Sequence, residues 1–280
     1  MSVLEKPLKN NVFLCGKQLN EGQTNREIIK EYFEKHHNNE YDIVFAEEFV
    51  KSANDGRNLL DIENIIGTYA DSILIILESP STFAELGAFA NNPDLVKKIL
   101  VINEKQFETS QSFINNGPVA TIKRESKYKN VIYFRNSSSI LETVESIVDA
   151  LNIDDRKNFK HVFYIEEHAF LQNYTKTERN FIILVFDLLN LLAPVKESEI
   201  VFYLQELTPK SRRGIIDAIG ILNALGYIER KDDYLEPKKQ RADGLIFDDH
   251  ERCKTRAKIL QCYIKYDKER VRHHAKRNSF

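Results

Sequence analysis

The sequence predicts an α/β chain, with a doubly wound parallel sheet in front and a smaller, mainly helical domain behind. Three observations carry that expectation. Up to about residue 152, short runs rich in Val and Ile alternate with stretches of helical periodicity, the pattern of successive βαβ units. The runs are apolar throughout, not alternating, as strands covered on both faces require. Beyond residue 152 the alternation stops, and strongly apolar helical stretches lead to a single hairpin.

In chain order, "NVFLC" (11–15) reads as the first strand and ends at Gly16. "TNREIIKEYFEKHH" (24–37) has helical spacing at Ile28, Ile29, Tyr32 and Phe33, and "YDIVFA" (41–46) is the second strand. "RNLLDIENIIGTYA" (57–70) is a helix through Leu59, Ile62, Ile66 and Tyr69. "SILIIL" (72–77), "KILVIN" (98–103) and "NVIYF" (130–134) complete five strands, with helices around 82–91 and 138–151. Five such strands predict a flavodoxin-like layer sandwich, in which ligands bind outside the carboxyl ends of the strands near the switch in strand order.

The back half opens with two helices, "ERNFIILVFDLLNLLA" (178–193) and "KESEIVFYLQEL" (196–207). Thr208-Pro209 reads as the N-cap and first position of a third, with Ile215, Ile219, Leu222 and Leu225 on one face. "YIERKDDYLEP" (227–237) then forms a hairpin turning at Lys231-Asp232-Asp233. Three helices and a wing predict a winged helix-turn-helix. The expected organisation is a sheet domain over 1–152, a winged-helix domain over 153–250 and a basic tail over 251–280.

Charge divides along the same line. Residues 1–150 carry 16 Lys+Arg against 22 Asp+Glu, and 151–280 carry 24 against 20. The last thirty residues hold ten basic and three acidic side chains, so the back half is the candidate for a polyanionic partner. The start "MSVLEKPLKNN" lacks an apolar h-region and no run of 18 apolar residues follows, which points away from a signal peptide or membrane span. Three cysteines, Cys15, Cys253 and Cys262, form no C-x-x-C pair, the usage of a reducing cytoplasm without a zinc site.

Chemistry in a doubly wound sheet sits on the loops after the strands. Cys15-Gly16 follows the first strand, Glu47 and Glu48 the second, and Glu78-Ser79-Pro80-Ser81-Thr82 the third. "INNGPV" (114–119), after the fourth, reads as a turn with exposed amides. Thr82-x-x-Glu85 fits a capping box, in which Glu85 reaches back to its own helix start. In that helix Phe83, Leu86 and Ala90 are expected on the sheet, with Gly87 permitting close packing. Asp71 reads equally as a strand-start turn residue and as a ligand.

"NVFLCG", "DSILIILESPSTFAELGAF" and "FINNGPV" resemble the nucleoside 2-deoxyribosyltransferase-like domain. More closely, they resemble retron effector proteins in which that domain precedes a winged-helix domain. In the wider family the third block reads Asp-x-Gly-Thr-x-x-Glu-Leu-Gly and its Glu is the nucleophile. Thr82 and Glu85-Leu86-Gly87 match it, whereas Ser79 and Ser81 replace the Asp and Gly, a departure at positions that hold sugar and base. The resemblance implies that Glu85 is the catalytic nucleophile. It further implies that Cys15, Gly16, Glu47, Ser79, Ser81, Thr82 and Asn115 line the pocket. A carboxylate beneath C1′ stabilises or captures the oxocarbenium-like state of N-glycosidic cleavage, and a helix N-terminus favours its ionised form.

By the same resemblance the substrate is NAD or a related nucleotide, with no metal or separate cofactor. The implied partners are a retron reverse transcriptase and its msDNA or non-coding RNA, and the implied state is a homo-oligomer or higher assembly. Lys210, Arg212 and Arg213 stand at the start of the third helix, where the dipole disfavours cations, and form the candidate nucleic-acid contact. Two alternatives stay open: a (deoxy)ribosyl or ADP-ribosyl transferase, and a nucleotide-sensing, nucleic-acid-binding regulator without catalysis.

Overall fold

The computed structural model describes residues 2–3, 9–18, 23–53, 57–135, 140–152, 163–164, 177–238 and 249–275. The domain boundary expected at residue 153 and the last five residues of the basic tail lie outside them. The elements in chain order are β1 (Ser2–Val3), β2 (Asn10–Cys15), α1 (Asn25–His36), β3 (Tyr41–Val44), α2 (Ala46–Ala53), α3 (Leu59–Tyr69), β4 (Ser72–Ile76), α4 (Pro80–Ala90), β5 (Ile99–Glu104), α5 (Ala120–Glu125), β6 (Val131–Phe134) and α6 (Ile140–Asn152). They continue as β7 (Phe163–Tyr164), α7 (Glu178–Leu192), β8 (Val195–Lys196), α8 (Glu197–Leu207), α9 (Arg212–Ala224), β9 (Ile228–Lys231), β10 (Tyr234–Pro237), α10 (Asp249–Tyr266) and α11 (Lys268–Ala275). The chain divides into two compact units: Lys9–Phe159, and Met1–Leu8 together with Lys160–Phe280.

The first unit is built on the expected five-stranded parallel sheet, in the order β3-β2-β4-β5-β6. The first two strands in sequence lie in reversed spatial order, so the topological switch falls between β2 and β4, where a doubly wound sheet opens a crevice. Strand periodicity sorts the core into two layers. Val12, Leu14, Leu74, Ile76, Leu100 and Ile102 pack with Ile29 and Phe33 of α1 and Val144, Ile147 and Leu151 of α6. The intervening residues face the other way: Phe13, Ile73, Ile75, Ile99 and Val101 are all buried, and the Phe13 ring meets Phe89 of α4 at 6.2 Å. Cys15, two residues beyond Phe13, shares that second face.

Several local expectations are corrected. Residues 46–53, read as a strand end and loop, form α2. "INNGPV" is not a turn: Asn115–Val119 is a π-helical segment that runs into α5. Pro118 is accommodated there because it has no N–H to place in the ladder. Gly87 is exposed, with open space where a Cβ would stand. Gly67 of α3 does the close packing, since a Cβ there would lie 3.2 Å from Leu95 and 3.3 Å from Ile73. Asp71 is a strand-start residue, its Oδ2 accepting the Asn11 N–H at 2.9 Å.

The second unit packs three helices, α7, α8 and α9, through Phe181, Ile182, Val185, Phe186 and Leu189, Ile200, Val201 and Leu204, and Ile215, Ile219 and Leu222, all buried. Beside them lies a small antiparallel sheet, β8-β10-β9, whose hairpin turns at Asp232 with φ of 49°. Helix α9 does not begin at Thr208-Pro209. Thr208 ends α8, its hydroxyl donating to the Leu204 carbonyl, and Ser211 caps α9 by accepting the Gly214 N–H at 3.1 Å. The basic tail packs back on this unit. Tyr263 of α10 donates to the Leu192 carbonyl (2.9 Å), and the buried Arg270 of α11 pairs with Glu199 (2.5 Å) and Asp267 (3.0 Å). Helix α10 begins at Asp249, beside the boundary expected at 250.

Candidate active site

The carboxyl ends of β2 and β4 flank the switch point, and a dense set of polar groups gathers on them. Glu78, just past β4, ties down the stretch after β2. Its Oε1 accepts the Lys17 N–H at 2.9 Å, and its Oε2 accepts from Asn25 Nδ2, at the start of α1, at 2.7 Å. Gly16 makes this possible, because a Cβ there would sit 3.0 Å from Arg26 Cβ and 3.3 Å from Glu78 Oε1. Arg26 is buried in the first turn of α1, lies 4.5 Å from the centre of the Phe45 ring and grips Glu47 of α2 through both terminal nitrogens, at 2.5 and 3.3 Å.

The start of α4 settles the orientation of Glu85. The N-cap is Ser79, three residues earlier than expected, with Pro80 at the first helical position. The capping box is Ser79 with Thr82: the Ser79 hydroxyl accepts the Thr82 N–H (3.4 Å) and Thr82 Oγ1 accepts the Ser79 N–H (3.2 Å). Thr82 is fully buried, its hydroxyl also donating to the Ser79 carbonyl at 2.8 Å. Glu85 therefore lies a turn further in and does not cap its own helix. It stands close enough to the buried Cys15, at the end of β2, for each group to shift the other's pKa. Oε2 of Glu85 is buried and has no hydrogen-bond partner.

The electrostatics follow from this crowding. Burial raises the Glu85 carboxyl above its ordinary value; the Cys15 hydrogen bond and the Arg26 charge pull it back, and Glu47 adds a smaller upward push. Burial, then the Glu85 and Glu63 charges, push the Cys15 thiol well up, with Arg26 opposing, so the sulfur stays protonated. Glu63 of α3 is buried on the same side of the sheet, and its carboxyl is pushed up to about 7, first by burial and then by Glu85. Burial thus raises both carboxyls, Glu85 and Glu63, on one side of the sheet.

The structure brings Glu85, Cys15, Gly16 and Glu47 together around Arg26, with the partly exposed Ser79 and exposed Ser81 at the rim, hydroxyls 2.9 Å apart. Asn115 lies in the π-helical segment, its side-chain amide donating to the Phe107 (2.7 Å) and Ser110 (2.8 Å) carbonyls, and so braces the chain after β5. Lys210 is committed within the second unit: it pairs with Glu178 at 2.5 Å and lies 5.0 Å from the Phe181 ring centre. Arg212 and Arg213 are exposed at the start of α9. Sequence reading passed over Asn25, Arg26 and Glu63. The first two follow Thr24, the N-cap of α1, and a helix start beside a strand-end glycine was the available signal.

The chain is similar to known proteins over most of its length. The chain is 30% identical over 240 residues to an Escherichia coli protein named "Retron Ec73 putative ribosyltransferase/DNA-binding protein", covering 79% of this chain and 75% of that one. It is 34% identical over 146 residues to the Escherichia coli "Retron Ec86 putative ribosyltransferase/DNA-binding protein", covering 51% and 46%. The family model described as STM3845 retron effector protein matches residues 22–230, which contain both Glu85 and the start of α9. The chain belongs to the STM3845 retron effector protein family.

Proposed function

We propose that this chain is the toxic effector of a retron antiphage system, an N-glycosidase that cleaves NAD or a related nucleotide with Glu85 as nucleophile. The observation that carries the reading is Glu85 itself, half-buried in the helix that follows β4, beside Cys15 and Arg26, with its Oε2 buried and unpartnered. In the proposed reaction the carboxylate meets C1′ of the ribose as the bond to the base nitrogen breaks, and the electron pair leaves with the base. Nicotinamide departs neutral from a cationic ring and takes up no proton. Water then adds at C1′, releasing the sugar and restoring the carboxylate. Gly16, Ser79 and Ser81 supply the nearby amide and hydroxyl surface for ribose and phosphate.

The relatives' name speaks of ribosyl transfer, and transfer to an acceptor other than water is the second reading. Incubating the full chain with NAD and with purine and pyrimidine nucleotides, followed by chromatography, separates them: free base with ADP-ribose (from NAD) or ribose phosphate (from a mononucleotide) is hydrolysis, and a ribosylated macromolecule is transfer. Glu85→Gln abolishes base release under either; base release surviving that change removes Glu85 from the chemistry.

The second unit is read as a winged helix, with α9 as the recognition helix, Arg212 and Arg213 at its exposed start, and β9–β10 as the wing. Its proposed partners are the retron reverse transcriptase and its msDNA or non-coding RNA, within a cytoplasmic homo-oligomer or larger assembly. Among the described residues no helix is long and apolar enough to cross a membrane.

A further inference from the structure

We propose that α10 carries a second polyanion-binding surface: an exposed lysine ridge, Lys254, Lys258 and Lys265, that lies along the phosphate backbone of a nucleic acid. The inference rests on the reading of this unit as the nucleic-acid-binding one, and assigns the contact to an element other than α9. From Cys253 to Tyr266 the helix holds four cations and no acid. At about 100° per residue, Lys258 and Lys265 fall about 40° and 20° round the axis from Lys254, so the three share one edge. Tyr263 and Arg256 fall about 180° and 200° round, on the opposite side. Those two hold the helix down: the Tyr263 hydroxyl donates to the Leu192 carbonyl and Arg256 Nη1 to the Asn190 carbonyl, both on α7. The lysine edge is thereby turned to solvent, and all three lysines are exposed.

Among the described residues none of the three lysines is in an ion pair, whereas the same unit pairs Lys210 with Glu178, Arg230 with Glu197 and Arg270 with Glu199. Lys265 has the exposed Tyr266 ring, 4.9 Å from its Nζ, which leaves its charge in place. Lys254 and Lys258 are like charges one turn apart, an arrangement that costs an isolated helix stability. A polyanion laid along the edge replaces that repulsion with attraction. The spacing suits one: Lys258 stands about 6 Å along the axis from Lys254, and Lys265 about 10.5 Å further. A nucleic acid presents phosphates more closely than that, so one strand or duplex meets all three side chains together. Contacts of this kind fix position and read no bases. An anionic membrane fits less well, because a helix lying on a bilayer inserts a continuous apolar face. Here Ile259, Leu260 and Tyr263 are half-buried, and the exposed Ile264 and Tyr266 flank the ridge about 160° apart.

The test uses the full chain and the anisotropy of labelled single strands and duplexes of unrelated sequence, titrated over a range of KCl. Replacing all three residues together, as Lys254→Gln, Lys258→Gln and Lys265→Gln, is expected to reduce the slope of log affinity against log salt by about 2–3, alike for every sequence. Replacing the same three by Arg is expected to keep the wild-type slope. Both variants should keep the wild-type melting temperature, since the three ammonium groups hold nothing in the fold. If the glutamine variant fails to fold, the single changes decide, each expected to remove about 0.7–0.9 of slope. An unchanged slope overturns the proposal, as does a wild-type chain that binds neither strand nor duplex at low salt. Loss of co-sedimentation with phosphatidylserine vesicles, beside an unchanged slope, overturns it in favour of a membrane surface. A slope that falls with the lysine changes but not with Arg212→Ala and Arg213→Ala keeps the ridge and removes α9 as the recognition helix. The opposite pattern keeps α9 and removes the ridge.

Discussion

Arg26 and Glu47 join the first turns of α1 and α2, the guanidinium fork closing on both carboxylate oxygens at 2.5 and 3.3 Å. Their charges act on Glu85 in opposite directions, Arg26 lowering its pKa and Glu47 raising it. Glu47→Gln removes the raising charge. The acid limb of the activity profile is therefore expected at lower pH than in the wild type, and the acid limb of kcat/KM against pH reads the shift. Because Glu47 is about a third exposed, the stability loss in urea unfolding is expected at about 1–2 kcal/mol, below that of a fully buried pair.

Glu63 allows a sharper test. Its carboxyl is raised to about 7 from an ordinary 4.5, so the folded state prefers it neutral. The resulting stability is complete below pH 4.5 and is lost as pH rises through 7; the contribution is up to about 3 kcal/mol. Glu63→Gln should flatten that decline, measured as melting temperature between pH 4.5 and 8. In the proposed reaction a neutral Glu63 would serve as proton source for a purine leaving group, which nicotinamide does not need. The same variant is therefore expected to lose purine-nucleotide cleavage by roughly 10²-fold while sparing NAD. Equal losses on both substrates would place Glu63 in structure alone.

Ser79 is the N-cap of the helix that presents Glu85. Ser79→Ala is expected to cost about 1 kcal/mol, visible in urea unfolding, and Ser79→Asp should restore it. A silent Ser79→Ala would show that Pro80 and the buried Thr82 suffice to start the helix.

In the second unit Lys210 and its neighbours should part company. Arg212→Ala with Arg213→Ala is expected to weaken nucleic-acid binding and reduce the slope of log affinity against log salt by about 1.4–1.8, measured by anisotropy on labelled single and double strands. Lys210→Ala, which breaks the pair with Glu178, is expected to leave the slope unchanged and lower stability by about 0.5–1 kcal/mol.

Arg270→Met leaves Glu199 and Asp267 without their shared cation. The expected cost is about 1–2 kcal/mol, since both carboxylates are partly exposed. Limited proteolysis within 249–275 should accelerate before global unfolding; unchanged cleavage would mean that Tyr263 and the apolar contacts of α10 hold the tail unaided.

The sheet was legible because five runs such as "SILIIL" and "KILVIN" have no other economical burial. The helix starts were less so, because two capping patterns overlap at each. Ser79-x-x-Thr82 competes with Thr82-x-x-Glu85, and Thr208-Pro209 with Ser211. Proline at the first helical position favours Ser79 and argues wrongly for Thr208, where the chain needs one more turn to leave α8. The nucleophile candidate was legible through its block of residues. Arg26 and Glu63 were not, since each is one charge among many on an amphipathic helix until the fold buries it.

The two residues of β1 pair with Phe163 and Tyr164, on the far side of the sheet unit in sequence. In the layout of the gene, the sheet unit is thus a cassette inserted between the opening residues and the remainder of the unit they join. One stop codon cannot separate the two units intact. Isolating the cassette takes a cut at each end, and a tag fused before Ser2 loads the unit proposed to meet nucleic acid, not the one that carries Glu85.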